Sequence, residues 1–175
     1  MDEKRNTGKE MIRRIIKYRY ENTGFHPGKM YVQKILFISK VMGESVPYDY
    51  SLYTYGPYSR EIMNDLDDME YHGEIEMVWN DRFEGYEIHD KGISLDPDME
   101  FNILNDVLND LGGKNAKTLE LLSTVLYLRD NYNSEENLFN AVNKVKPMFK
   151  DSRIRDTIQE AASFRSDSSR SGANS

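Results

Sequence analysis

The chain has 175 residues, 38% of them apolar and 30% charged, and it contains no cysteine. That length favours one domain able to bury a core without cross-links, and the missing thiols exclude a disulfide framework and cysteine-ligated zinc. The net charge of −7 hides a segregation, with residues 1–40 at +6, residues 41–112 at −15 and residues 113–175 at +2, which bears on partners and solubility rather than on fold.

The opening Met1-Asp2-Glu3-Lys4-Arg5 is charged with no apolar segment behind it, so a flexible start over residues 1–8 is expected and a signal peptide is not. The spacing of Met11, Ile12, Ile15, Ile16 and Tyr18 predicts a helix over Lys9–Glu21. Pro27-Gly28 opens a second helix, Lys29–Val41, with Gly43 as its stop. Five tyrosines then fall within eleven residues, at 48, 50, 53, 55 and 58, and run into Gly56-Pro57. A short strand at Tyr50–Tyr53 is expected there, with Pro57 starting a third helix that ends near Tyr71. Ile75, Met77 and Trp79, then Tyr86 and Ile88, alternate with polar residues around a turn-rich middle, which predicts an antiparallel hairpin.

Four further helices are expected: Asp98–Asp110, Thr118–Tyr127, one capped by Ser134 and running to Val145, and one capped by Asp151. The wide apolar girdle of Leu119, Leu121, Leu122, Val125 and Leu126 marks the second of these as the most buried helix of the chain. From Ser166 on there is no large apolar residue, and a disordered tail over 164–175 is expected. The domain is therefore read as residues 9–163, with a front part over 9–95 and a helical part over 98–163.

No motif announces catalysis. His26, His72 and His89 lack ligand spacing, so no metal site is expected. Asp65, Asp67, Asp68 and Glu70 read as a solvated helix face, because catalytic carboxylates need a cleft to tune them. Gly112-Gly113-Lys114-Asn115 fails the phosphate-loop pattern, and no nucleophile elbow occurs. The chain is expected not to be an enzyme and to need no cofactor.

Two helices, a strand, a helix and a hairpin form the order of a winged helix-turn-helix, which raises DNA as a partner. The helix after Pro57 has one basic residue, Arg60, among five acidic ones, and such a surface repels phosphate. Residues that could serve a nucleic acid are Arg13, Arg14 and Lys17 on the first helix and Arg82 at the hairpin tip. The tyrosines offer a different surface. Tyr48, Tyr50 and Leu52 share one parity and Tyr53 and Tyr55 the other, so a regular strand cannot turn both sets to one core. One set is left for a partner.

Val32-Gln33-Lys34-Ile35-Leu36-Phe37-Ile38 resembles the L-Q-K-L-L-Y helix of the Panacea domain, the SocA-like antitoxin family, and Tyr55-Gly56-Pro57-Tyr58-Ser59 resembles its Y-G-P junction. Asp65-Leu66 and Gly73-Glu74-Ile75 look closest to the uncharacterised YwgA-like group, and Thr118–Val125 is similar to a later helix. The resemblance spans roughly Lys29–Lys150. The tryptophan often found before Y-G-P is absent here. The resemblance implies a mostly helical, non-enzymatic domain that binds a protein, typically a toxin. Tyr86–Gly92 is similar to the exit of many winged-helix wings.

The reading is thus an α+β, mostly helical fold, with a winged-helix-like front and a β-hairpin packed on a C-terminal helical bundle. The expected function is a non-enzymatic protein-interaction or regulatory domain, antitoxin-like, using Tyr53, Tyr55, Tyr58 and Arg60. A winged-helix DNA-binding regulator is the alternative. A homodimer is left open, no membrane partner is expected, and the expected compartment is the cytoplasm.

Overall fold

The periodic segments fold as helices and two small antiparallel hairpins in the computed structural model of the chain, which describes residues 2–165. In chain order these are α1 (Asp2–Thr23), α2 (Lys29–Val41), β1 (Ser51–Tyr53), β2 (Gly56–Tyr58), α3 (Arg60–Tyr71), β3 (Ile75–Asn80), β4 (Gly85–Asp90), α4 (Asn102–Leu111), α5 (Ala116–Leu128), α6 (Glu135–Val145) and α7 (Asp151–Ala161). A 3-10 turn, Arg129–Asn131, follows α5. The fold is α+β and mostly helical, as the periodicity indicates. No helix among the described residues is long and apolar enough to cross a membrane.

Helix α2 is the axle. Its residues 31–39 are all buried, and it packs on α1, α4, α5, β2 and β4. That exceeds the burial of α5, so the most buried helix is not the one that the leucine girdle suggests. The difference is topological: α5 meets solvent along its first turn, whereas α2 is wrapped by elements from both halves. One set of buried side chains, from Met11 on α1 to Ala161 on α7, runs through both parts of the chain.

The β3–β4 hairpin pairs Ile75 with Asp90, Met77 with Ile88 and Trp79 with Tyr86. Ile75 and Ile88 are buried, while Trp79 and Tyr86, further out on that face, are exposed. They touch edge-on, with ring centroids 5.2 Å apart. Side chains on one face of a hairpin share one environment only as far as the body beneath them extends, and this hairpin overhangs it.

Several boundaries move, each for a local reason. α1 starts at Asp2 rather than Lys9, because residues 2–8 have something to pack on: Gly8 lies against the Tyr48 ring, and Arg5 bonds Asp65. α4 starts at Asn102 rather than Asp98, because the Arg14 guanidinium takes the carbonyls of Asp96 and Met99, both at 2.7 Å, and holds that stretch as a turn. Ser134 caps α6, accepting from the Asn137 N–H. α7 is preceded by Lys150, and Asp151 is its first helical residue. Of the expected tail, Phe164 packs against the core, and residues 166–175 lie outside the described residues.

Candidate functional site

Pro57 does not start a helix. It sits in β2 opposite Leu52, and Tyr53 pairs with Gly56 around a two-residue turn, Thr54-Tyr55. The chain then needs Ser59 before α3 begins at Arg60. Gly56 has φ +93°, and a Cβ there would stand 3.0 Å from Thr124 Oγ1 and 3.5 Å from Lys34 Cε. Only glycine meets both conditions without strain. The tyrosine segment is thus a tight hairpin laid on α2 and α5.

Its backbone hangs from side chains of the body. Lys40 donates to the Tyr48 carbonyl, Lys146 to the Thr54 carbonyl, and Lys34 to the Pro57 carbonyl at 2.6 Å. The Gln33 amide donates to the Ser59 carbonyl at 2.8 Å and accepts the Ser59 N–H at 2.9 Å. A short two-stranded hairpin has little stability of its own, so these side chains supply the fixation that its ladder cannot. Lys34 and Lys146 are fully buried, and Lys146 also pairs with Glu120.

The parity division holds. Tyr48 is buried and its O–H donates to Asp65 at 2.7 Å. Tyr50 packs edge-on against Phe37, with ring centroids 5.1 Å apart. Tyr53 and Tyr55 point outward and are 60% and 62% exposed. Tyr58 is half-buried and meets Tyr53 edge-on, and Arg60 is exposed beside it. Between them lies a pocket of about 230 Å³ walled by Met30, Tyr53, Tyr55 and Tyr58, with Lys34 in its lining.

Burial lowers the Lys34 ammonium to about 8; Glu120 opposes this and Lys146 adds to it. Burial, then the Asp65 carboxylate, pushes the Tyr48 hydroxyl well above its ordinary value, and burial does the same to Tyr50.

The cations named for a nucleic acid are placed differently. Arg13 bonds Glu74 and Glu10, Arg14 holds the carbonyls described above and lies 3.5 Å from Glu10, and Lys17 reaches Asp90 at 3.1 Å. Their donors are turned to internal acceptors, so the structure does not bring them together as an open basic face. Arg82 is exposed at the tip of the β3–β4 hairpin, above the ring of its neighbour Phe83.

Two features escaped the sequence reading. Asp65 is not on a hydrated face: it is buried, between Tyr48 and Arg5. The spacing held the signal, because Asp65 is three residues from Ile62 and four from Met69, on the stripe itself. The histidines, distant in sequence, also converge. His26 stacks on His89 with ring centroids 3.7 Å apart, Tyr20 stacks on His26 at 4.6 Å, and His89 Nε2 meets Glu87 at 3.0 Å. Burial and the neighbouring His89 lower the His26 imidazole, against an opposing pull from Glu87. Among the described residues no cluster of three or more histidine or acidic side chains is arranged to hold a metal ion.

No family model matches the chain, and no curated protein matches it.

Proposed function

We propose that this chain is a non-enzymatic protein-interaction domain of regulatory type, whose partner docks on the tyrosine hairpin, with a winged-helix-like front half as its scaffold. One observation carries the reading: Tyr53 and Tyr55 are exposed on a hairpin whose carbonyls are fixed by three lysines and a glutamine. Exposed tyrosine gives large contact area at low entropic cost, and most of all where the backbone beneath is already ordered. Tyr58 and Arg60 extend the surface, and arginine and tyrosine are the side chains over-represented among binding hot spots. The resemblance to the Panacea domain supports the same class and suggests a toxin as the partner.

DNA binding is the weaker reading, since Arg13, Arg14 and Lys17 are engaged internally. The test is a photo-crosslinking amino acid at position 55, with one at Lys117 on the exposed start of α5 as control, in the cells that make the protein. A discrete protein adduct at 55, lost when Tyr53 is changed to alanine, is the expected result. Equal labelling at both positions counts against the hairpin.

A further inference from the structure

The loop between α1 and α2 is fastened along the outer edge of β4. The Pro27 carbonyl accepts the Ile88 N–H at 2.8 Å, and Gly28 bridges to Glu87. Beside these bonds the His26 ring lies flat on the His89 ring, with centroids 3.7 Å apart and planes 11° from parallel. Little else holds the loop. Gly24 and Phe25 are exposed, and of the loop residues only Pro27 is buried. Gly24 has φ +73°, and a Cβ there would meet nothing within 4 Å, so the chain can turn at that point without collision.

Two neutral imidazoles stack well, but two imidazolium rings laid flush repel, with no room for water between them to screen the charges. One carboxylate serves the pair. Glu87 meets His89 Nε2 at 3.0 Å through one oxygen and takes the Asn80 amide at 2.6 Å through the other. It offsets one charged ring, not two. The surrounding elements bring no second carboxylate to either ring among the described residues. From α1, Tyr20 stacks on His26, Arg19 faces the rings of Phe25 and Tyr31, and Lys17 pairs with Asp90. From α2, the Lys29 ammonium lies over the Tyr86 ring. From β3, Glu76 stands opposite His89 in register and lies 3.8 Å from Lys91.

We propose that the His26–His89 stack is a proton-operated clasp. With the rings neutral it closes the α1–α2 loop over β4, and protonation of both rings opens the loop about Gly24 while the helical body stays folded. Opening frees the Ile88 N–H and the strand edge around it, and a free edge is a template for another strand. Burial and the adjacent His89 already lower the His26 imidazole, which is the direction that a clasp opened by protons requires.

The chain has no cysteine, so two introduced thiols can carry spin labels alone. Labels at Phe25→Cys and Lys91→Cys measure the loop against the β3–β4 hairpin, and labels at Tyr71→Cys and Lys91→Cys measure that hairpin against α3. From about pH 7.5 to 5.5 the first pair should gain a longer distance, on the order of tenfold more populated at the acid end. The second pair and the helical circular dichroism should stay unchanged. His26→Phe and His89→Phe, each keeping a flat ring in the stack, should abolish the change. Glu87→Gln should move it toward neutral pH, because neither charged ring then has a carboxylate to offset it. A first distance that is the same at both pH values would overturn the clasp. So would a change that survives in both phenylalanine variants, which would assign it to another group. A second distance or a dichroism signal that shifts together with the first would also overturn it, in favour of general acid unfolding.

Discussion

Tyr48 and Asp65 join the tyrosine segment to α3 through one buried hydrogen bond of 2.7 Å, and Gly8 on α1 closes over the same hydroxyl. Asp65→Ala would strand the hydroxyl, and we expect a loss of about 2–3 kcal/mol in a denaturant titration. Gly8→Val would drive atoms into the ring, since even a Cβ would stand 2.3 Å from the Tyr48 oxygen; overpacking of this kind costs about 1–3 kcal/mol. Lys34 gives a pH signature of defined sign. Burial brings it to about 8 in the folded chain, below the ordinary lysine value of 10.5, so the native state sheds the proton first and the lysine's contribution to stability rises with pH between them. Tyr31, raised to about 12 by burial, acts oppositely above about pH 10, as do Tyr48 and Tyr50. Melting curves of wild type and Lys34→Met between about pH 7.5 and 10.5 isolate the lysine: the wild type should gain on the variant across that window. Periodicity made the apolar residues of α2 legible but not Gln33 and Lys34. Two polar side chains in an apolar run read as a surface until a hairpin from another part of the chain is laid over them.

At the scale of elements, the two hairpins are held by different means. The tyrosine hairpin depends on Gly56, whose φ of +93° and approach to Thr124 leave little room. Gly56→Ala should cost about 1–3 kcal/mol and should displace Tyr53 and Tyr55. By contrast, Tyr53→Ala and Tyr55→Ala should change stability by no more than about 0.5 kcal/mol, as exposed positions do. Comparing these variants in chemical denaturation separates scaffold from surface. The β3–β4 hairpin is tied to the loop between α1 and α2 by the stacked histidines, by a bridge between Gly28 and Glu87 and by the Ile88 N–H on the Pro27 carbonyl. His26 is lowered in the folded state, so its contribution is fully present above the ordinary histidine value and is lost as pH falls below that and through the lowered folded value. The melting temperature should therefore drop from about pH 7.5 to pH 5.5, and His26→Phe should flatten that drop. Strand alternation revealed the β3–β4 hairpin from sequence. It did not reveal that Gly56-Pro57 turns back as a second strand, because proline suits a helix start and an edge strand equally.

For the whole molecule, the charge segregation along the chain becomes a set of internal pairs. Cations of α1 meet the acidic middle at Arg5–Asp65, Lys9–Asp68, Arg13–Glu74 and Lys17–Asp90. The imbalance was visible in the sequence, but the pairs were not, since each joins residues about sixty or more positions apart. Partly exposed pairs of this kind are weak one by one and are screened by salt. Raising sodium chloride from about 0.05 to 0.5 M should lower the melting temperature measurably, and Lys17→Glu should lower it at low salt by more than at high salt. The single tryptophan sits on the overhanging end of the β3–β4 hairpin, half exposed, with its indole N–H on Asp81. Native fluorescence therefore watches the rim of the molecule and not its centre. An emission change on heating or in urea will report fraying of that hairpin, and where it precedes loss of the helical signal in circular dichroism, the gap measures how independently it melts.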